Sequence, residues 1–440
     1  MSDPSNALSG SSTLAPGATD HLVRYGSAFV PLLIERAAGS SVFTSSGDEI
    51  LDFTSGQMSS LLGHGHPDIV ETVSNSVATL DHLFSGMVSQ PLLDVAAALS
   101  DTLPAPLRKV LLLTTGAESN EAALELAKLY TGRHEIISFD RSWHGMTSGA
   151  RAATFSAGRR GYGPMVPGNL ALPTPDALRS PFRHADGSYD WETELDYGFR
   201  LIDRQSVGSL AAAIVEPIIS SGGLIDLPVG YLARLHERCV ERGMLLIADE
   251  AQTGLGRTGA MYAFERDGVV PDLVTLSKTL GAGLPVAAVV TSPEIEEVCH
   301  ERGFLFFTTH VSDPLAAAVA LTVLRVIDRD GLVDRSQKLG EQLRDRLTGL
   351  QDRFEVVVDV RGRGLLQGLE LTGDARSDRS ADEFGRDLTG ECLSRGLHLN
   401  IVQLPGLGGV FRIAPPLTIG EDDLHRGMDI LTDSIVAVSR

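Results

Sequence analysis

The stretch "DLVTLSKTLGAGLPVAAVV", residues 272–290, runs from an apolar segment through a single lysine and a glycine-rich turn into a second apolar segment. Short Leu- and Val-rich runs bounded by glycine and proline read as buried strands. Outward from it, the same rhythm covers the chain from about residue 110. "VLLLTTG", "EIISF", "LAAAIVEPI" and "MLLIADE" alternate with longer amphipathic stretches such as "EAALELAKLY" and "YLARLHERCVERG". That alternation predicts an α/β domain around a mainly parallel sheet, with functional side chains at the carboxyl ends of its strands. Helical patterns over 315–354, then "FEVVVDVRGRG" and "LLQGLEL", predict a smaller α+β domain at the C-terminal end. The expected organisation is a flexible tail 1–20, an N-terminal segment 21–66, a large domain 67–330 and a small domain 331–440.

Lys278 stands out because lysine is scarce. Of 37 basic residues only Lys109, Lys128, Lys278 and Lys338 are lysines, so charge alone is usually supplied by arginine. Arginine keeps its proton in proteins, whereas an ammonium moved into apolar surroundings loses its proton more easily and becomes a usable amine. A nucleophilic, imine-forming lysine is one reading, and a capping or snorkelling lysine at a strand end is the other.

The 440 residues carry a net charge of −20, which argues against nucleic acid or an anionic membrane as a partner. Cys239, Cys299 and Cys392 are far apart, so neither a disulfide framework nor a zinc cluster is indicated, and a reducing cytoplasm is the expected compartment. The start "MSDPSNALSGSSTLAPGATD" lacks the basic and apolar regions of a signal peptide. "LAAAVALTVLRVI", 315–327, is too short to span a membrane and reads as a buried helix.

Asp249 ends the strand-like "MLLIAD", and Lys278 follows the next, "DLVTLS". Two successive strand ends thus offer a carboxylate and an amine. Pyridoxal phosphate needs that pair, an amine for its aldehyde and a carboxylate that keeps its ring nitrogen protonated. Its phosphate needs N–H groups at a helix start, and "TTGAESNEAALELAK" offers those of Gly116 and Ala117. Trp143, in "SWHGMT", is either a core residue or an aromatic plate for a planar cofactor. "GLGRTG", 254–259, matches a dinucleotide fingerprint, but it follows "DEAQT" and not a strand. "GHGHP", with His64 and His66, reads as a polar turn more readily than as a metal pair.

Taken together, "LIADEAQTGLGRTG", "TLSKTLGAGLP", "TTGAESNEAA", "SWHGMT" and "EPIISSGG" resemble the class III (subgroup II) aminotransferases, pyridoxal-phosphate enzymes of fold type I. The resemblance runs from about residue 20 to the C-terminus. It implies that Lys278 forms the imine with pyridoxal 5'-phosphate, that Asp249 pairs with the ring nitrogen and Gln252 with the phenolic oxygen, and that Trp143 stacks on the ring. Gly116 and Ala117 would hold the phosphate, joined by Thr309 from a second subunit of a homodimer that pairs into a homotetramer.

"HLVRYG", "LDFTSGQMS", "DHLFSGM", "TTHVSDP" and "NIVQLPGLGGVFRIAPPLT" resemble the decarboxylating branch of that family. They imply that a 2,2-dialkylglycine such as 2-aminoisobutyrate loses CO2 to give a ketone, after which pyruvate is converted to L-alanine. Substrate would be bound by Gln57, Trp143, Ser221 and Arg412. The same resemblance implies a potassium ion held by Ser85, Asp313 and the carbonyls of Leu83, Thr309 and Val311, an all-oxygen shell suited to a hard cation. A sodium-like second site would use the carbonyls of Ser100, Leu103, Pro104 and Leu107, although Leu103 stands where the family pattern has a threonine.

The bond that breaks in such enzymes is the one perpendicular to the cofactor ring. Arg412 would hold a carboxylate in the plane by a bidentate pair and so expose C–H. Gln57 would hold one perpendicular, and a neutral amide suits that task because the carboxylate loses its charge on becoming CO2. The alternative for Gln57 is an amide that only shapes its loop. Rival functions are an ω-aminotransferase or aminomutase that does not decarboxylate, and a cofactor-free regulatory relative, against which the intact Lys278, Asp249 and Trp143 argue.

Overall fold

Seven strands make the central sheet, in the order Lys109–Leu113, Ala287–Thr291, Leu273–Leu276, Leu245–Asp249, Leu210–Val215, Glu135–Phe139, Asn169–Leu172. The structure, a computed structural model, describes residues 14–26, 29–374, 379–404 and 408–439. Residues 1–13 of the expected tail therefore lie outside the described residues, as do 375–378 and 405–407. Ala287–Thr291 runs antiparallel to both its neighbours, and the remaining pairings are parallel. Fold type I, with a mixed, mainly parallel sheet, is what the chain adopts.

Sheet residues such as Ala212, Ile214, Ile247 and Val274 are wholly buried because helices cover both faces. One of these helices, Gly116–Thr131, is fixed at its start by a reciprocal pair. Thr115 accepts from the Glu118 N–H, and Glu118 in turn accepts from the Thr115 N–H. It ends at Gly132, which takes the left-handed φ of 67°. The apolar helix expected at 315–327 is present as Pro314–Arg329, with nine buried residues. No helix among the described residues is long and apolar enough to cross a membrane.

The small C-terminal sheet has the order Val357–Arg363, Leu366–Leu371, Gly408–Ile413, Asn400–Leu404, all antiparallel. The N-terminal strands Ile34–Ala38, Ser41–Thr44 and Glu49–Asp52 form a separate sheet completed by Leu397–His398, which pairs parallel to Glu49–Asp52. The N-terminal segment is thus tied to the C-terminal one. Phe53 reinforces the tie by lying against Gly427 of helix Glu421–Val438, where an added Cβ would come within 2.2 Å of the ring.

Candidate active site

Asp249 and Lys278 converge because their strands are parallel neighbours in register, with Asp249 opposite Thr275, three residues before the lysine. Both open into one cavity of about 350 Å³. Gly116, Ala117, Trp143, Asp249, Gln252 and Lys278 all line it, so six of the expected residues share a single wall. Gln57, Ser221, Thr309 and Arg412 are not part of that lining.

Lys278 sits at φ 35°, at the start of a 3-10 turn Lys278–Gly281. Burial lowers its pKa, against the opposing charges of Asp249 and Glu216, and the Arg412 cation lowers it further. For an ammonium this is the direction that favours the free amine.

Burial alone would raise the pKa of the Asp249 carboxyl. The hydrogen bond and charge of His144, the charge of Lys278 and the hydrogen bond of Asn120 outweigh it and hold the group below the ordinary carboxylate value. His144 Nδ1 and Asn120 Nδ2 both meet Asp249 Oδ2 at 2.8 Å, and the Ala251 N–H reaches Oδ1 at 3.1 Å. Asn120 is itself oriented, since its Oδ1 accepts from the Thr275 hydroxyl at 2.7 Å and its Nδ2 also donates to the His144 carbonyl. The carboxylate is therefore fixed in direction and kept charged.

Glu216, also in the cavity wall, is pushed up to about 7 by burial, with the Asp249 charge adding to the rise; His144, the Trp143 N–H and Lys278 oppose it. It accepts from the Trp143 N–H at 2.9 Å and the Ser220 N–H at 3.3 Å, which anchors the tryptophan's backbone. Asn120, His144 and Glu216 were not singled out from the sequence. Their motifs, "TTGAESNEAA", "SWHGMT" and "EPIISSGG", contain them, but contact with Asp249 or Trp143 depends on the sheet order.

The cavity suits pyridoxal phosphate. Buried Ser277 Oγ and Gln252 Oε1 have no protein partner, which leaves two polar atoms at the site for a ligand. The N–H groups of Gly116 and Ala117 belong to the first turn of a 16-residue helix, where no acceptor lies within the helix and the dipole favours an anion. A Cβ at Gly116 would stand 2.7 Å from Ser277 Oγ, so glycine keeps this corner open.

Arg412 is buried and donates to the Ser221 hydroxyl at 3.2 Å. Burial lowers its pKa to about 10, with the Glu216 charge opposing the change. Gln57 is exposed, on a turn where Ser55, Gly56, Gln57 and Met58 have φ values of 45°, 53°, 67° and 62°. Left-handed backbone costs roughly 1–2 kcal/mol for each non-glycine residue, so this turn needs support from outside itself. Next to it, Ser59 lines the cavity and donates to the Lys278 carbonyl at 3.1 Å.

Among the expected metal ligands, Asp313 is engaged by two imidazoles. Asp313 Oδ1 meets His82 Nδ1 at 2.6 Å and Oδ2 meets His310 Nδ1 at 2.5 Å, so imidazoles occupy both carboxylate oxygens. Ser85 Oγ is buried without a partner, and Thr309 is exposed. At the second site the carbonyls of Ser100 and Pro104 already accept from the N–H groups of Leu103 and Leu107. His64, considered as a metal ligand, meets Asp52 through Nε2 at 2.9 Å, in keeping with a polar turn. "GLGRTG" forms turns in which Arg257 is wholly buried and reaches the carbonyls of Leu365 and Pro415.

Residues 23–435 match the family model for class III aminotransferases. The chain is 52% identical over 423 residues to an uncharacterized aminotransferase of Schizosaccharomyces pombe, covering 96% of this chain and 94% of that one. It is 32% identical to a 4-aminobutyrate aminotransferase of Mycobacterium leprae, covering 92% of this chain and 90% of that protein. An ω-transaminase from Pseudomonas jessenii solved in complex with PMP superposes with a TM-score of 0.87 at 26% identity, over 95% of this chain and 96% of that one.

Proposed function

The chain belongs to the class III aminotransferases, and we propose that it moves an amino group from an amino donor to a 2-oxo acid whose carboxylate rests on Arg412. The carrying observation is that Asp249 and Lys278 line one cavity, with the carboxylate kept ionised and the amine shifted toward its free form. Pyridoxal phosphate, when bound, supplies an aldehyde that condenses with amines and a ring that accepts the electrons of the bond broken at the substrate's α-carbon. Lys278 would hold the aldehyde and then, as a free amine, carry the proton taken from that carbon. Asp249 would keep a proton on the ring nitrogen, steadied by His144 and Asn120. Trp143, fixed through Glu216, would cover the ring face.

Arg412 would position the 2-oxo acid. Its guanidinium, beside the Ser221 hydroxyl, has the planar donor fork that suits a bidentate carboxylate. Thr309, exposed on its own chain, would serve the cavity of a second copy, and the exposed Leu305 and Phe307 just before it fit a homodimer contact. Sedimentation of the holoprotein as a monomer would remove that assignment. Potassium and sodium form no part of this proposal.

One observation favours a second reading, that of a 2,2-dialkylglycine decarboxylase which releases CO2 before the amino group moves. Gln57 is held in a conformation that glycine adopts with less strain, which suggests that its side chain is needed. A paired experiment separates the readings. If Gln57 holds a scissile carboxylate, Gln57→Ala slows CO2 release from 2-aminoisobutyrate by about ten- to a hundred-fold while alanine–pyruvate exchange is little changed. Arg412→Ala has the reverse preference, raising the KM for pyruvate most. No CO2 from 2-aminoisobutyrate with the unaltered enzyme leaves plain amino transfer as the function.

A further inference from the structure

We propose that Asp52 is a positioning residue for Gln57: its buried carboxylate holds the left-handed turn Ser55–Met58, which adjoins the cofactor lysine through Ser59, in the shape that sets the direction of the Gln57 amide. The inference rests on the reading that Gln57 faces substrate. Only one of the four turn residues is glycine, so the backbone does not adopt this shape by local preference.

Asp52 meets the turn with both oxygens. Oδ1 accepts from the Thr54 N–H at 3.0 Å and from the Thr54 hydroxyl at 2.5 Å. Oδ2 accepts from the Gly56 N–H at 2.8 Å and faces His64 Nε2 at 2.9 Å. Below, the Ser55 hydroxyl donates to the Ala414 carbonyl at 2.5 Å, two residues after Arg412, and Ser59 donates to the Lys278 carbonyl. The turn is therefore suspended between the strand that carries Arg412 and the lysine, and Asp52 is its anchor. Because backbone N–H donors face both oxygens, an asparagine at 52 sets its NH2 group against either Thr54 or Gly56 whichever way it turns.

The test compares holoenzyme with Asp52→Asn, Gln57→Ala and the double variant, using hydrogen exchange over residues 53–62 and turnover of 2-aminoisobutyrate and of alanine with pyruvate. Asp52→Asn is expected to speed exchange in that segment selectively and to slow, by about ten- to a hundred-fold, whichever reaction Gln57→Ala slows. The double variant is expected to be no slower than Gln57→Ala alone, because one residue acts through the other. Unchanged exchange, or multiplied losses in the double variant, overturns the proposal. Faster exchange with Gln57→Ala fully active in both reactions overturns the reading of Gln57 and, with it, the positioning role, while leaving Asp52 as the anchor of the turn. Should Asp52→Asn not fold, Thr54→Val removes one donor to the same carboxylate at constant shape. It is expected to speed exchange in the same segment, and unchanged exchange there also overturns the proposal.

Discussion

Lys278→Ala is expected to abolish turnover, with a loss of about a thousand-fold or more, while the protein stays folded. Two functions vanish with one amine, the covalent hold on the cofactor aldehyde and the base at the substrate's α-carbon, and general-base catalysis alone is worth about 10²–10⁴-fold. The cost to stability is small by comparison, because the removed methylenes border a cavity in place of a packed core. The check is steady-state rate together with the visible absorbance of the purified protein, which the variant should lack even with pyridoxal phosphate added. A variant that turns over near the parent rate would mean that another group does this chemistry.

Asp249→Asn is expected to keep the cofactor and to lose about a hundred-fold in rate, since an amide cannot hold the ring nitrogen's proton as a carboxylate does. The surroundings sharpen the effect. Oδ2 faces donors from His144 and Asn120, and Oδ1 faces the Ala251 N–H. Whichever way the new amide turns, its NH2 group meets a donor, and leaving a buried donor unsatisfied costs roughly 1–3 kcal/mol. The melting temperature should therefore fall along with the rate. Cofactor retained at full activity would place the carboxylate away from the ring.

The parts of this site that the sequence reveals are those set by local pattern. Apolar runs ending in Asp249 and just before Lys278 already identify two strand ends, and the parallel register then joins them. The helix start at Gly116 is equally readable, because Thr115 and Glu118 form their capping pair within four residues. Contacts made between distant segments are a different matter. Asn120, His144 and Asp249 meet only because their strands and helix are brought together by the sheet order, and no spacing in the chain records that. The pairing of Glu49–Asp52 with Leu397–His398 is hidden for the same reason. The turn at Gln57 is hidden for another. Its left-handed backbone contradicts the preferences of Ser55, Gln57 and Met58, and it exists because Asp52, Ala414 and Lys278 hold it from outside.

The resemblance to known enzymes identifies the family correctly and ranks its branches less well. In the proposed roles, Lys278, Asp249, Gly116 and Trp143 would serve every reaction that pyridoxal phosphate supports in such a cavity, CO2 loss and simple exchange alike. The choice lies with groups that touch the substrate carboxylate, and Gln57 and Arg412 stand outside the shared wall. That is where the similarity to characterised aminotransferases is least informative.

The most direct test follows the amino group itself. Holoprotein is given an amino donor labelled with heavy nitrogen, such as L-alanine, together with an unlabelled 2-oxo acid, and the products are read by mass spectrometry while released CO2 is trapped. The expected result is label in the amino acid formed from the 2-oxo acid, mole for mole with the donor's keto product and only while cofactor is bound. Bound cofactor with no transfer from any donor in a panel that includes L-alanine, 4-aminobutyrate and 2-aminoisobutyrate would contradict it.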